Sequence, residues 1–232
     1  MSRPEHLRPA PRSAREVLRS LATLPHWHAL RTYSLAQHDW MTSRRTRTAA
    51  QFGSPVPWWS YGCTSFLDQV VPPNARVLEL GGGGSTSWWL ERGNSVTVIE
   101  PNAAWAERIR SDSARFADRL ELMRIDPDAP GALEDGLGDA VFDVVVVDHS
   151  GDRNGAVRAL IPRVADDGVL ILDNADRPEH AVALATMSQA GFARLDFFDL
   201  GPINAFSGLT VVGMRGALQV RGRPAAHTRV DN

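Results

Sequence analysis

Residues 144–153 read VVVVDHSGDR, four valines running straight into an aspartate and a histidine, with Gly151 just beyond. A carboxylate can hold a cation or take a proton, and an imidazole titrates near neutrality, so Asp148 and His149 are candidates for catalysis. A second polar end follows the apolar run GVLILDN (168–174), which closes on Asp173 and Asn174. A third group surrounds a glycine turn, where VLELGGGGSTSWW puts Glu79 two residues before Gly81, with Gly83 and Ser85 after it. Such glycines let a ligand approach the backbone closely. Counted from Gly81 as the first glycine of G-x-G-x-x-G, the last position is Thr86, a departure from the dinucleotide pattern. Glu79 would repel a pyrophosphate and attract an ammonium group. Glu100 closes SVTVIE (95–100), the usual place for a carboxylate that accepts ribose hydroxyls. A ligand with ribose and an amine, and no phosphate, fits this set.

The elements that must position these residues follow from periodicity. Valine runs bounded by turn residues suit parallel strands buried on both faces, and ligands in such sheets sit past the carboxyl ends of the strands. Strands are expected at 76–80, 95–100, 120–126, 141–148 and 168–174, alternating with helices at 58–71, 85–93, 103–116, 154–165 and 180–191. Two last strands, 193–200 and 209–215, leave no room for a helix between them and should pair as an antiparallel hairpin at the sheet edge. The fold class is therefore α/β, a doubly wound, mostly parallel seven-stranded Rossmann-like sheet with a C-terminal antiparallel hairpin. Helical spacing at 12–24, a break at Pro25, a second stretch at 27–42 and the boundary GSPVP (53–57) predict a small helical cap over 1–56. The catalytic domain then spans 57–216, and 217–232 reads as a flexible tail.

Composition narrows the chemistry. All 25 basic residues other than histidine are arginine, so no lysine base, Schiff base or P-loop lysine is available. Cys63 is the only cysteine, which removes a disulfide framework and a cysteine zinc site. No apolar run approaches the ~20 residues of a membrane span, and the first residues lack the apolar core of a secretory signal. A cytoplasmic protein with no membrane partner is expected. Residues 1–50 carry nine arginines against Glu5, Glu16 and Asp39, a formal +6, which leaves -8 on the rest of a chain of net charge -2. A solvated helical appendage, or an arm docked on the acidic body and closing over the acceptor, is expected rather than nucleic-acid binding. A homodimer is an open option.

At the glycine turn and Glu100 the sequence resembles the class I S-adenosylmethionine-dependent methyltransferases over roughly residues 58–215. The resemblance implies that Glu79, Gly81, Gly83 and Ser85 face the methionine part of S-adenosylmethionine, that Glu100 binds its ribose, and that Asp126, ending the third strand, lies near the adenine amine. Trp58, Trp59 and Tyr61 would line the methionine or acceptor pocket, or else pack in the core.

A narrower resemblance is carried by VVVVDHSGDR with VLILDNAD, which look like the metal-dependent O-methyltransferases of the catechol type. In that family the matching Asp148, Asp173 and Asn174 would bind Mg²⁺, hard oxygen ligands on neighbouring strands about 4.8 Å apart. The catechol enzymes carry a lysine base three residues after the first aspartate, where this chain has Gly151. His149 becomes the expected base, and Gly151 the space for the acceptor. His180 is a weaker candidate, expected at a surface helix start. The partner is then a small hydroxylated acceptor. Cyclisation driven by the same sulfonium, RNA modification through the basic arm, and a non-catalytic cofactor-binding module are the competing readings.

Overall fold

The computed structural model describes residues 43, 45–46, 49–51, 54–204 and 207–216. The expected helices at 12–24 and 27–42 and the tail 217–232 lie outside them. The described part of the cap is mixed: residues 43 and 45–46 are helical, and then β1 (Ala50–Gln51) and β2 (Ser54–Pro55) pair antiparallel, with the Val56 N–H donating to the Ala49 carbonyl. Pro55 and Pro57 explain why no helix continues here, since each removes a backbone donor.

The body is built on β3 (Arg76–Leu80), β4 (Ser95–Ile99), β5 (Leu120–Met123), β6 (Phe142–Val147), β7 (Val164–Leu172), β8 (Ala193–Asp199) and β9 (Gly208–Met214). Their order is β5-β4-β3-β6-β7-β9-β8, with β9 antiparallel to both β7 and β8. The chain runs outward from β3 in both directions, so a crevice opens at the carboxyl end of β3 beside β6.

The valine run explains why the sheet is fixed in register. Val144 and Val146 pack into the core on one face with Cys63, Leu67, Trp88 and Trp89, while Val145 and Val147 pack on the other with Leu133, Val157 and Leu160. All four are buried, and each contributes on the order of 1.5–3 kcal/mol relative to exposure. A one-residue slip would exchange the two sets and tear β6 from its register with β3 and β7. The first face is covered by α1 (Tyr61–Val70), α2 (Gly84–Glu91) and α3 (Ala103–Asp112). The second is covered by α4 (Ala132–Leu137), α5 (Arg153–Leu160) and α6 (Ala181–Gln189).

Several boundaries differ from expectation. The helix expected over 154–165 stops at Leu160 and becomes a 3₁₀ turn over Ile161–Arg163, because Pro162 cannot donate to a continuing α-helix. Strand β7 consequently begins early, at Val164. The third parallel strand ends at Met123, so Asp126 lies in a loop, where its Oδ1 accepts the Asp128 N–H at 3.1 Å in a local side-chain turn. Helix α4 was not expected from the sequence. Among the described residues no helix is long and apolar enough to cross a membrane.

Candidate active site

A cavity of about 890 Å³ opens over the carboxyl ends of β3 to β6. Its floor is the Gly81–Ser85 turn, and one wall is Glu100 with Trp105 of α3. The loop Asp126–Asp128 and residues Asp148–Gly151 close the far side, while Ala49, Pro55 and Trp58 reach over from the segment before α1. Trp58 is 47% exposed despite lining it.

The glycine turn needs its glycines. Gly81 has φ +85°, and a Cβ there would meet the Asp148 carbonyl oxygen at 2.9 Å. At Gly84 a Cβ would lie 2.6 Å from the Val56 carbonyl oxygen, so the segment before α1 is seated directly on the turn. Trp105 Nε1 donates to the Gly82 carbonyl at 2.7 Å and fixes the turn from the α3 side. Gly83 is left open, its nearest neighbour for a Cβ being Trp105 at 3.7 Å.

Glu79 does not line the cavity as expected. It is fully buried beneath the turn, where the Thr86 hydroxyl donates to its Oε2 at 2.6 Å and the Gly83 N–H donates to that same hydroxyl oxygen at 3.0 Å. The strand alternation that puts Glu79 in the core thus makes it the anchor of the turn rather than a ligand. Burial raises its pKa to about 7, against the lowering effect of the Thr86, Ser85 and Trp89 side chains nearby. The residue at the G-x-G-x-x-G endpoint, Thr86, therefore has a purpose that the dinucleotide comparison concealed.

Glu100 and Asp126 do line the cavity, as do Gly81, Gly83 and Ser85. Glu100 Oε1 accepts the Asn102 N–H at 2.9 Å, and this contact aims the carboxylate while Oε2 has no hydrogen-bond donor among the described residues. Tyr61 does not join them. It is buried at the start of α1, with its N–H on the Leu200 carbonyl, off the cavity.

The two polar residues that end the valine run part company. Asp148 Oδ2 accepts Trp59 Nε1 at 3.3 Å, and Oδ1 accepts Arg153 Nη2 at 3.0 Å. His149 stands instead against the β5 loop, with Nε2 3.5 Å from Asp128 Oδ1. Its ring is 7% exposed, and beyond that Asp128 contact neither ring nitrogen meets a hydrogen-bond partner among the described residues. Burial is the main reason its pKa is lowered, opposed by the Asp128 carboxylate, so the imidazole is held neutral. The acceptor space expected at Gly151 is filled: a Cβ there would sit 2.1 Å from Asp128 Oδ2.

The expected Mg²⁺ ligands do not fit an ion in this arrangement. Asp173 lies off the cavity, its Oδ1 accepting from Thr210 at 2.6 Å and its Oδ2 from the Asn174 amide at 2.9 Å. Both Asp148 oxygens are also bonded to protein donors, and a guanidinium already holds the position between the two strand ends. Among the described residues no group of three His, Cys, Asp or Glu side chains is placed to hold a metal. Burial, then repulsion from Asp148, raises Asp173 to about 7, and burial also raises Asp148. His180 is buried rather than at a surface, its Nδ1 2.9 Å from the carbonyl of Asn174, which takes φ +51°. It supports the turn after β7.

Arg153 is the residue that sequence reasoning missed. It is 5% exposed and sits at the first position of α5, whose N-cap Asp152 accepts the Asn154 N–H. Its only sequence signal is an arginine directly after an N-cap aspartate at the end of a buried strand.

No family model matches the chain. The ubiquinone biosynthesis O-methyltransferase of Xanthomonas campestris pv. campestris is 30% identical over 129 residues, 55% of this chain and 54% of that protein, so the chain spans about half the length of the curated relatives it matches. Among solved structures, a precorrin-6y C5,15-methyltransferase from Geobacter metallireducens aligns with a TM-score of 0.52 at 14% identity, over 66% of this chain and 87% of that one. An S-adenosylmethionine-dependent O-methyltransferase from Thermotoga maritima aligns with a TM-score of 0.51 at 13% identity, over 68% and 66%. The fold is an α/β Rossmann-like methyltransferase fold, with a mostly parallel seven-stranded sheet ending in an antiparallel pair.

Proposed function

We propose that the chain transfers a methyl group from S-adenosylmethionine to an oxygen of a small hydroxylated metabolite. The observation that carries this reading is that Glu100 and the Gly81–Ser85 turn line one cavity, with a free carboxylate oxygen where a ribose would lie. His149 Nδ1 makes no hydrogen bond among the described residues, and a Cβ on Gly83 would meet nothing described closer than Trp105 at 3.7 Å, which fits a ligand with polar edges laid across the turn. The fold is one that methyltransferases use, and the curated relative over half its length is named for O-methyl transfer.

S-adenosylmethionine would supply the electrophilic methyl group. Glu100 would accept the ribose hydroxyls, and the Asp126–Asp128 loop with His149 would hold the adenine end. Neutral His149 offers one donor and one acceptor there, which makes it a cofactor contact in preference to the base. Asp148, which lines the cavity and is bonded to Trp59, would take the acceptor's proton as the new C–O bond forms and the methyl–sulfur bond breaks, leaving S-adenosylhomocysteine. Trp59 and Arg153 hold its carboxylate still, since misplacement by ~1 Å can cost on the order of 10²-fold in rate.

The test is incubation with methyl-labelled S-adenosylmethionine and a panel of small phenolic, catecholic and sugar hydroxyl acceptors. Label in an O-methyl product supports the proposal. Label appearing only on nitrogen or carbon, or no transfer to any acceptor, counts against it.

A further inference from the structure

We infer that Arg153 is the resident cation of this site, a positioning residue standing where a divalent ion would otherwise bridge the ends of β6 and β7. The inference rests on the proposed reading only in calling this the acceptor side. Three nitrogens of the guanidinium each reach a different oxygen. Nε donates to the His149 carbonyl at 2.7 Å, Nη1 to the Asp173 carbonyl at 2.6 Å, and Nη2 to Asp148 Oδ1 at 3.0 Å. Two of these oxygens belong to the loops that end β6 and β7, and the third is the carboxylate that lines the cavity.

Three converging oxygens, one of them charged, are what a hard divalent cation seeks. Here they are all taken by a planar, positively charged fork. An incoming ion would have to expel a side chain that is 5% exposed, or sit against its positive charge. Trp59 on Oδ2 then leaves Asp148 oriented from both sides by the protein alone. Arg153 cannot drift, because Asp152 caps α5 just before it and the Asp152 N–H is in turn held by Asp128 Oδ1 at 2.8 Å.

A merely structural ion pair and a resident cation make different predictions about metals. The experiment is titration of the full chain with Mn²⁺, following the free-ion paramagnetic resonance signal. It is run on wild type, Asp148→Asn, Arg153→Ala and the Arg153→Ala/Asp148→Asn double variant, with folding checked by circular dichroism. Wild type should show no Asp148-dependent site tighter than about 1 mM. Arg153→Ala should gain one site roughly tenfold tighter or better, and Asp148→Asn should abolish that gain. A wild-type site lost in Asp148→Asn overturns the inference, as does a folded Arg153→Ala that gains none. Should Arg153→Ala not fold, the wild-type and Asp148→Asn pair decides alone. S-adenosylhomocysteine binding, measured on the same wild-type sample, reports separately on the methyl-transfer reading.

Discussion

Thr86 Oγ1 lies 2.6 Å from Glu79 Oε2 and accepts the Gly83 N–H at 3.0 Å, so one buried carboxyl governs the shape of the glycine turn through a single hydroxyl. Because Glu79 is fully buried and its pKa is raised from 4.5 to about 7, the folded state holds a proton there that the unfolded chain has released. The contribution is therefore favourable at low pH and is lost as pH rises from about 4.5 to about 7. Glu79→Gln should match wild type in stability near pH 5 and exceed it by up to an order of 3 kcal/mol at pH 8. Urea unfolding at the two pH values measures this. A difference that does not change with pH would mean that Glu79 is charged in the fold throughout.

His149 and Asp148 should fail in different ways. His149→Ala should weaken S-adenosylhomocysteine binding while leaving most of the turnover at saturating cofactor. Asp148→Asn should bind cofactor normally and lose about 10²–10⁴-fold in kcat. The opposite pattern would return the role of base to His149. Its titration is checked by NMR: the midpoint should lie below the usual 6.5, and Asp128→Asn should lower it further by removing the carboxylate that opposes burial.

Gly84→Ala tests how the segment before α1 is held. The new methyl would fall 2.6 Å from the Val56 carbonyl oxygen, a backbone atom that cannot rotate away. Ala49, Pro55 and Trp58 should lift from the cavity, raising the KM of the acceptor several-fold and lowering Tm by a few degrees, as ~1 kcal/mol would in a domain of this size. Unchanged acceptor KM would mean that the segment is packing and not part of the acceptor wall.

The sheet was legible because its strands are apolar runs of the right length between turn residues, and the antiparallel end followed from the missing helix between 200 and 208. The glycine turn with Glu100 was legible for a similar reason, since both sit at strand ends with a fixed spacing. What periodicity does not carry is which way a side chain turns after the strand stops. That is why Asp148 and His149, adjacent in sequence, were read as one catalytic pair although they face Trp59 and Asp128 respectively. The likeness of strand-end aspartates to metal ligands hid Arg153, because nothing in the order of residues shows a guanidinium reaching three oxygens from different loops. Of the two places the sequence left open for Tyr61, pocket wall or core, it takes the core, at the first position of α1 behind its cap Ser60.

The central claim is that the cavity over the glycine turn takes S-adenosylmethionine through Glu100, and isothermal titration calorimetry tests it most directly. The full chain should bind S-adenosylhomocysteine with one site per chain and a Kd between about 1 μM and 1 mM, the ordinary range for enzyme sites. Glu100→Ala should weaken that binding tenfold or more, each lost hydrogen bond to a charged acceptor being worth about 1.5–3 kcal/mol. NADH should give no heat of binding. Binding of NADH in place of S-adenosylhomocysteine, or an affinity for S-adenosylhomocysteine indifferent to Glu100→Ala, would contradict the account.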